Sequence, residues 1–342
     1  MSSKLTNITE RFDFEGTICE IKPLGEGLIN DTYKVKTAET DKPDYVLQRI
    51  NHHIFPNIEM VMHNIDAVTS HIRNSLAANE TPDIDRRVLR FLPTKNDGKL
   101  YTMMNDGTYW RLMIYIDNAI TKQNIDPENS REAGRAIGNF QKMLADIPVA
   151  LGETIKNFHN MEFRLEQLYD VVKQDPIGRV KEERVQKMLA EIEARAEEMC
   201  KAERLGREGK LPKRVCHCDT KVNNMMFDKE GKVLCIIDLD TVMPNFIFSD
   251  YGDFLRTAAN TVVEDCPEME KVQFRMDIFK AFTEGYLKSA KNFLLPIETD
   301  NLPYATALFP YMQCVRFLWD YLNGDKYWKC QYPDHNFVRA NN

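Results

Sequence analysis

Three residues within the stretch Val215 to Asp240 have types and spacing that could build a metal–phosphate site: Asp219, Asn224 and Asp238. The pattern is His-x-Asp-x-x-x-x-Asn, followed fourteen residues after the asparagine by an Ile-Asp pair. Phosphoryl transfer asks a protein mainly to position groups and neutralise charge. One aspartate is needed to orient or deprotonate the attacking hydroxyl. An asparagine carbonyl and a second carboxylate are the hard oxygen ligands that hold Mg2+ against phosphates. A His-x-Asp alone says little, whereas the whole arrangement is specific. Between Asn224 and Asp238 lie two apolar segments joined by Asp228-Lys229-Glu230-Gly231, which predicts a β-hairpin able to bring the two near one ion.

A second group precedes it. Gly25-Glu26-Gly27 is followed by Leu28-Ile29-Asn30-Asp31 and then by a strand-like alternation, Thr32 to Lys36. Two glycines would let backbone approach phosphates, as a loop over a nucleotide requires, with Asn30 standing where a third glycine would fall. The next strand, Tyr45 to Ile50, carries Gln48 and Arg49 on opposite faces, and either could be the one that meets phosphate.

These residues need elements to hold them. Residues 12–50 read as strands. Residues 57–79 read as a helix with Ile58, Val61, Met62, Ile65, Val68 and Ile72 on one side and Asn57 as its cap. Val88–Leu92, Leu100–Met104 and Tyr109–Ile116 are predicted strands. From Ser130 the pattern is mostly helical: 131–145, 160–174, one long charged helix over 180–206, then 249–262, 268–290 and 303–323, with the hairpin embedded among them. The outline is α+β: a β-rich first part, residues 1–116, and a larger helical part, 117–342.

Composition narrows the function. The chain has 342 residues and a net charge of −7, which argues against nucleic acid, whose phosphates want a basic face. The start has no apolar run of the kind a signal peptide needs, and no stretch suits a membrane helix, so the expected location is cytoplasmic. Eight cysteines are too few for a disulfide scaffold. Cys216 and Cys218 flank His217, but no second ligand pair follows to complete a zinc site.

The stretch His217 to Asn224, together with Ile237 to Pro244, resembles the aminoglycoside phosphotransferase/choline kinase family, and within it is similar to the N-acetylhexosamine 1-kinases. The resemblance runs from the loop at Gly25 to the helix carrying Arg316. It implies a protein-kinase-like bilobal fold with a small β-rich nucleotide-binding N-lobe and a larger, mainly helical catalytic C-lobe. By that match Asp219 is the catalytic base and also touches substrate, and Asn224 and Asp238 are the metal ligands. Gly25, Gly27, Asn30, Arg49 and Tyr115 would meet nucleotide, Tyr115 lying in the hinge-like run from Arg111 to Asn118. Glu59 is the acid placed to pair with a basic residue on the preceding strand. Asp240, Thr241, Arg316 and Tyr327 would meet the sugar, and Asp253 would hold the catalytic loop. Mg2+ and ATP are the implied cofactors, GlcNAc or GalNAc the implied acceptor, and a monomer or weak homodimer the implied state. The same fold also serves aminoglycosides, choline, ethanolamine and homoserine, and a kinase-like module without activity is a further alternative. The family often has glycine where this chain has Cys218, so a positive φ there would strain the loop.

Overall fold

A computed structural model describes residues 2–25 and 29–342. In chain order, the first run comprises α1 (Ser2–Thr9), β1 (Ile18–Pro23), β2 (Asp31–Thr37), β3 (Tyr45–Ile50), α2 (Ile58–Ala78), α3 (Ile84–Arg87), β4 (Thr102–Met103), β5 (Tyr109–Ile114) and β6 (Ile120–Thr121). A helical run follows: α4 (Pro127–Met143), α5 (Met161–Gln174), α6 (Glu183–Glu193), α7 (Ala196–Met199) and α8 (Lys201–Arg207). Then come β7 (Arg214–Cys216), β8 (Met225–Phe227), β9 (Val233–Ile236) and β10 (Met243–Asn245). The chain closes with α9 (Phe248–Ala258), α10 (Met276–Ala290), α11 (Pro296–Asp300), α12 (Leu302–Leu322) and α13 (His335–Asn341).

The chain divides into two units, each packed chiefly within itself. The first holds Met1–Thr121, Asp146–Lys156 and Met225–Met243; the second holds Lys122–Ala145, Asn157–Asn224 and Pro244–Asn342. The first unit includes two segments from later in the chain, each held there for a physical reason. The hairpin β8–β9 pairs with β6. The 146–156 segment is held by Asn64 of α2, which donates to the Gly152 carbonyl and accepts its N–H.

In the first unit a five-stranded antiparallel sheet runs in the order β1-β2-β3-β5-β4. Register places Thr32 opposite Gln48 and Gln48 opposite Arg111. Directly opposed residues share a face, so these three form one polar row. Val35, Leu47 and Leu112 lie in an apolar cluster with Phe12 and Ile8. The stripe expected on α2 is buried at all six positions, and Asn57 caps the helix by accepting Met60 N–H. Val88–Leu92 is not a strand: it meets β5 through one isolated bridge, Phe91 to Met113, and Pro93, which has no N–H to donate, ends the run.

In the second unit, α4 and α10 pack at backbone distance. A Cβ on Gly285 would lie 1.9 Å from the Arg131 carbonyl oxygen. The expected long helix over 180–206 is broken into α6, α7 and α8, and two tyrosines of α12 explain the breaks. Tyr311 Oη donates to Ile192 O at 2.8 Å, while Tyr304 Oη donates to Met199 O at 2.7 Å and accepts from Ala202 N–H. Side-chain hydroxyls inserted into the helical ladder end it at both places.

Glu203 of α8 accepts the Met161 N–H at the start of α5 at 2.6 Å, but its second oxygen is buried without a hydrogen bond. Burial, with help from Glu162, pushes its carboxyl up to about 7. The folded state therefore holds this proton more tightly than the unfolded chain, and stability falls as pH rises from the ordinary carboxylate range through about 7. Glu203→Gln should flatten that fall in thermal scans from pH 5 to 8, with a gain at pH 8 of up to about 3 kcal/mol. An unchanged pH slope would exclude Glu203 as its source.

Candidate active site

The second unit builds the loop that carries Asp219. β7 ends at Cys216, and His217 to Thr220 follow with no regular ladder to satisfy their backbone. Asp250, in the first turn of α9, supplies the missing acceptors. Its Oδ2 accepts His217 N–H at 3.1 Å and its Oδ1 accepts Cys218 N–H at 2.8 Å. Gln141 of α4 donates to the same carboxylate, and Thr220 Oγ1 donates to the Asp250 carbonyl. Cys218 sits at φ +64°, the left-handed region that favours glycine. The two bonds from consecutive N–H groups to one carboxylate hold it there. The loop-holding aspartate is thus Asp250, one helical turn before the Asp253 that the sequence pointed to. Asp253 accepts both Arg256 Nε and Nη2, and its Oδ2 is buried without a partner. Only the tertiary contact separates these two acids of Ser249-Asp250-Tyr251-Gly252-Asp253.

Asp219 is oriented from three sides. His217 Nδ1 accepts its N–H, Asn224 Nδ2 donates to its carbonyl at 2.9 Å and its Oδ2 at 3.1 Å, and Lys221 Nζ lies 3.1 Å from Oδ2. Burial pushes the Asp219 carboxyl up, but Lys221, His217 and Arg256 outweigh it and leave it below the usual range. It is therefore ionised at neutral pH and able to accept from a hydroxyl. Asp250 goes the other way: burial dominates, partly offset by His217 and the backbone donors, and its carboxyl is raised.

The metal reading can be tested on Asn224. Both bonds to Asp219 use its NH2 group, so among the described residues no donor engages its carbonyl oxygen. That leaves a hard oxygen of the kind a divalent cation takes. Burial and the nearby Asp250 push the Cys216 and Cys218 thiols well above their ordinary range, and Cys216 Sγ donates to the Asn245 and Phe246 carbonyls.

A cavity of about 600 Å³ opens in this same unit. Lys221 and Asn223 of the Asp219 loop line it, with Asn260, Gln273 and Gln313. Its charged lining is Lys221, Arg256, Glu264, Arg275 and Arg339, four basic groups against one acidic. Arg316 is not part of that lining. It is buried between Phe158 and Trp328, whose ring centroids lie 5.2 and 5.3 Å from its guanidinium carbon, and it donates to Gln313. Tyr327 is half exposed, at 49%, and the backbone there is tied to Asp320.

The first unit gathers the nucleotide candidates. Gly25 has φ +72°, which explains a glycine there; Gly27 lies outside the described residues. Asp238 also adopts a left-handed conformation, φ 63° and ψ 58°, entering a short 3-10 turn, Leu239–Thr241, in which Thr241 is buried. Asp240 is 2% exposed, and both its oxygens are taken: Oδ1 by Arg111 Nη1 at 2.5 Å, Oδ2 by Asn30 Nδ2 at 2.7 Å. The sugar contact expected of Asp240 has little surface to act through. Gln48 Oε1 accepts from Arg111 Nε and Nη2, so it faces this interior row, while Arg49 is partly exposed and pairs with Asp31 at 3.2 Å. Glu59 is exposed in the first turn of α2, an ordinary place for an acid. The Tyr115 ring carries Lys34 Nζ at 3.8 Å, and its N–H donates to Asp44 O. Arg111, expected at the edge of the hinge, is instead a fully buried strand residue.

The phosphotransferase enzyme family model matches residues 20–285, and the chain belongs to that family. An aminoglycoside phosphotransferase from Alicyclobacillus acidocaldarius is similar in structure, with a TM-score of 0.66 at 13% identity over 98% of this chain and 90% of that one. A choline kinase from Cryptosporidium parvum gives a TM-score of 0.62 at 14% identity, over 99% and 97% of the two chains. An amicoumacin kinase in complex with AMP-PNP and Ca2+ gives 0.61 at 13% identity, over 99% and 90%. The fold is the protein-kinase-like fold of this family, and the chain is a small-molecule kinase within it. No helix among the described residues is long and apolar enough to cross a membrane.

Asp250→Asn keeps the size of the group but turns one acceptor into a donor facing an N–H. Turnover should fall by about tenfold or more, with thermal stability lowered by about 1–3 kcal/mol. Asp253→Asn should change turnover less. If the two effects came out reversed in steady-state assays, Asp253 would be the residue that holds the loop.

Proposed function

We propose that this kinase transfers the γ-phosphoryl group of ATP to the anomeric 1-hydroxyl of an N-acetylhexosamine, GlcNAc or GalNAc, giving the sugar 1-phosphate. The observation that supports the choice of acceptor is the lining of the cavity bordered by Lys221 and Asn223, which follow Asp219 in its loop. A cationic acceptor such as choline or an aminoglycoside needs carboxylates around it, and this cavity presents four basic groups to one acidic. Its amides, from Asn223, Asn260, Gln273 and Gln313, suit a neutral polyhydroxyl ligand that needs donors and acceptors together.

In this reading Asp219 accepts from the sugar hydroxyl and aims it at the γ-phosphorus. Its lowered carboxyl keeps it ionised, and the Asn224 and His217 bonds fix its orientation. Asn224 and Asp238 would hold Mg2+, which neutralises phosphate charge when bound. Gly25, Gly27, Asn30 and Tyr115 would frame the nucleotide, with Arg49 reaching phosphate only if its exposed pair with Asp31 opens. Thr241, Arg316 and Tyr327 are the sugar-side candidates. The protein would act in the cytoplasm, as a monomer or weak homodimer.

Incubation with ATP, Mg2+ and either sugar, followed by 31P and 1H NMR of the product, should show a phosphate on C1. Turnover of choline or kanamycin without turnover of either sugar would overturn the acceptor assignment. Asp219→Asn should lower kcat by about 10²–10⁴-fold while nucleotide binding stays intact. Near-parental turnover in that variant would exclude Asp219 as the base.

A further inference from the structure

The polar row of the first unit forms a continuous hydrogen-bonded network that reaches beyond the sheet to Asp240. Arg111 is 2% exposed, and each nitrogen of its planar fork is engaged. Nε and Nη2 reach Gln48 Oε1 at 3.0 and 2.6 Å, and Nη1 reaches Asp240 Oδ1 at 2.5 Å. Gln48 is locked in turn by donating to Thr32 Oγ1 at 3.0 Å. From Asp240 the chain of bonds continues outward: Asn30 Nδ2 donates to Oδ2, and Asn30 Oδ1 accepts the Asn51 N–H at 2.9 Å. Asn51 Nδ2 donates back to Ile29 O. A single buried guanidinium is thereby tied to β3, to Ile29 and Asn30, and to the turn that begins at Asp238.

The turn needs its geometry set from outside. Asp238 is a non-glycine residue in the left-handed region, a conformation that persists only where surroundings over-determine it. Two residues on, Asp240 is clamped by Arg111 and Asn30. Two residues further, Val242 O accepts from the buried Asn64 at 2.8 Å. The segment is pinned at both points downstream of Asp238, and these anchors fix the backbone from which the Asp238 carboxylate projects. An aspartate with both oxygens engaged and almost no exposure has little left to offer a ligand, which makes Asp240 an anchor.

We propose that Arg111 is the positioning residue for the metal end of the reaction: through Asp240 it holds the turn that begins at Asp238, with Asn30 closing the other side of the Asp240 carboxylate. The strand charge that matters is then the buried Arg111 on β5, read through Gln48, and not the solvent-facing Arg49 on β3. This rests on the chain being a kinase that uses a metal–nucleotide complex, but it is independent of which acceptor the enzyme takes.

The test measures nucleotide binding without any acceptor. Calorimetric titration of AMP-PNP is run with Mg2+ and again with EDTA, on the parent chain, on Arg111→Lys, and on the paired variant Arg111→Gln with Asp240→Asn. Arg111→Lys keeps the charge and loses the fork. It should weaken binding with Mg2+ by about 10–100-fold, the size expected when a metal ligand loses its outer support, and leave binding in EDTA little changed. The paired variant replaces the ion pair by a neutral amide pair and should recover much of the loss. Thermal unfolding of each variant shows whether it is folded at the titration temperature. Arg111→Lys folded with parental Mg2+-dependent affinity, or losing affinity equally in Mg2+ and EDTA, overturns the proposal. A paired variant no better than the single one overturns it as well. If the parent chain itself bound no AMP-PNP with Mg2+, the kinase reading would fall, and this inference with it. Absence of sugar turnover alongside normal Mg2+-dependent binding would remove only the acceptor assignment.

Discussion

Much of the site depends on one carboxylate, Asp250, accepting the N–H groups of two consecutive residues. The chain between β7 and Asn224 leaves regular structure and places a β-carbon at Cys218 where glycine would be comfortable. Buried N–H groups without acceptors cost about 1–3 kcal/mol each, and a left-handed non-glycine residue adds its own strain. Asp250 answers both at once, and Gln141, backed by the Tyr286 hydroxyl, supports it from behind. With the backbone held, the Asp219 carboxylate needs only Asn224, His217 and Lys221 to set its direction and charge.

The two units solve the same problem with different charges. In the second unit a buried acid organises backbone donors. In the first, a buried base and a buried acid face each other and organise side-chain amides: Gln48 and Asn30 on either side of the Arg111–Asp240 pair. Burying an isolated charge is costly, but a pair whose remaining hydrogen-bond sites are filled by amides avoids most of that cost. Each network ends close in sequence to an aspartate of the motif, Asp219 in one case and Asp238 in the other. Nearby, burial with help from Asp219 raises the carboxyl of Asp253, one of whose oxygens has no partner.

A good part of this was legible in the sequence. The α2 stripe, the β8–β9 hairpin about Gly231 and the capping by Asn57 follow from local periodicity and turn chemistry, and the structure has them where expected. The three-residue motif pointed to the right family, and Asn224 does reach Asp219. Other features were out of reach of local pattern. Nothing between residues 180 and 206 announces two breaks, because the cause lies in hydroxyls from Tyr304 and Tyr311, about a hundred residues on. Val88–Leu92 has strand composition but pairs at one bridge only. In Ser249 to Asp253 the two acids are equivalent by type, and only packing of α9 against the loop tells them apart.

By itself the sequence determined which chemical groups are present and in what order: two acids and an amide at Asp219, Asn224 and Asp238, and a glycine at Gly25, where the backbone turns left-handed. These depend on residue type and short spacing, which the covalent chain settles. Tertiary structure alone decided which face each group turns to. Gln48 and Arg49 alternate across one strand, and the chain cannot say which side is interior until β2 and β5 register Thr32 and Arg111 beside Gln48. How much of Asp240 is open to a ligand is likewise set by tertiary structure, because a guanidinium 129 residues away lies within hydrogen-bond distance. Burial and long-range pairing are properties of the folded chain, and they decide whether a polar side chain serves the substrate or the scaffold.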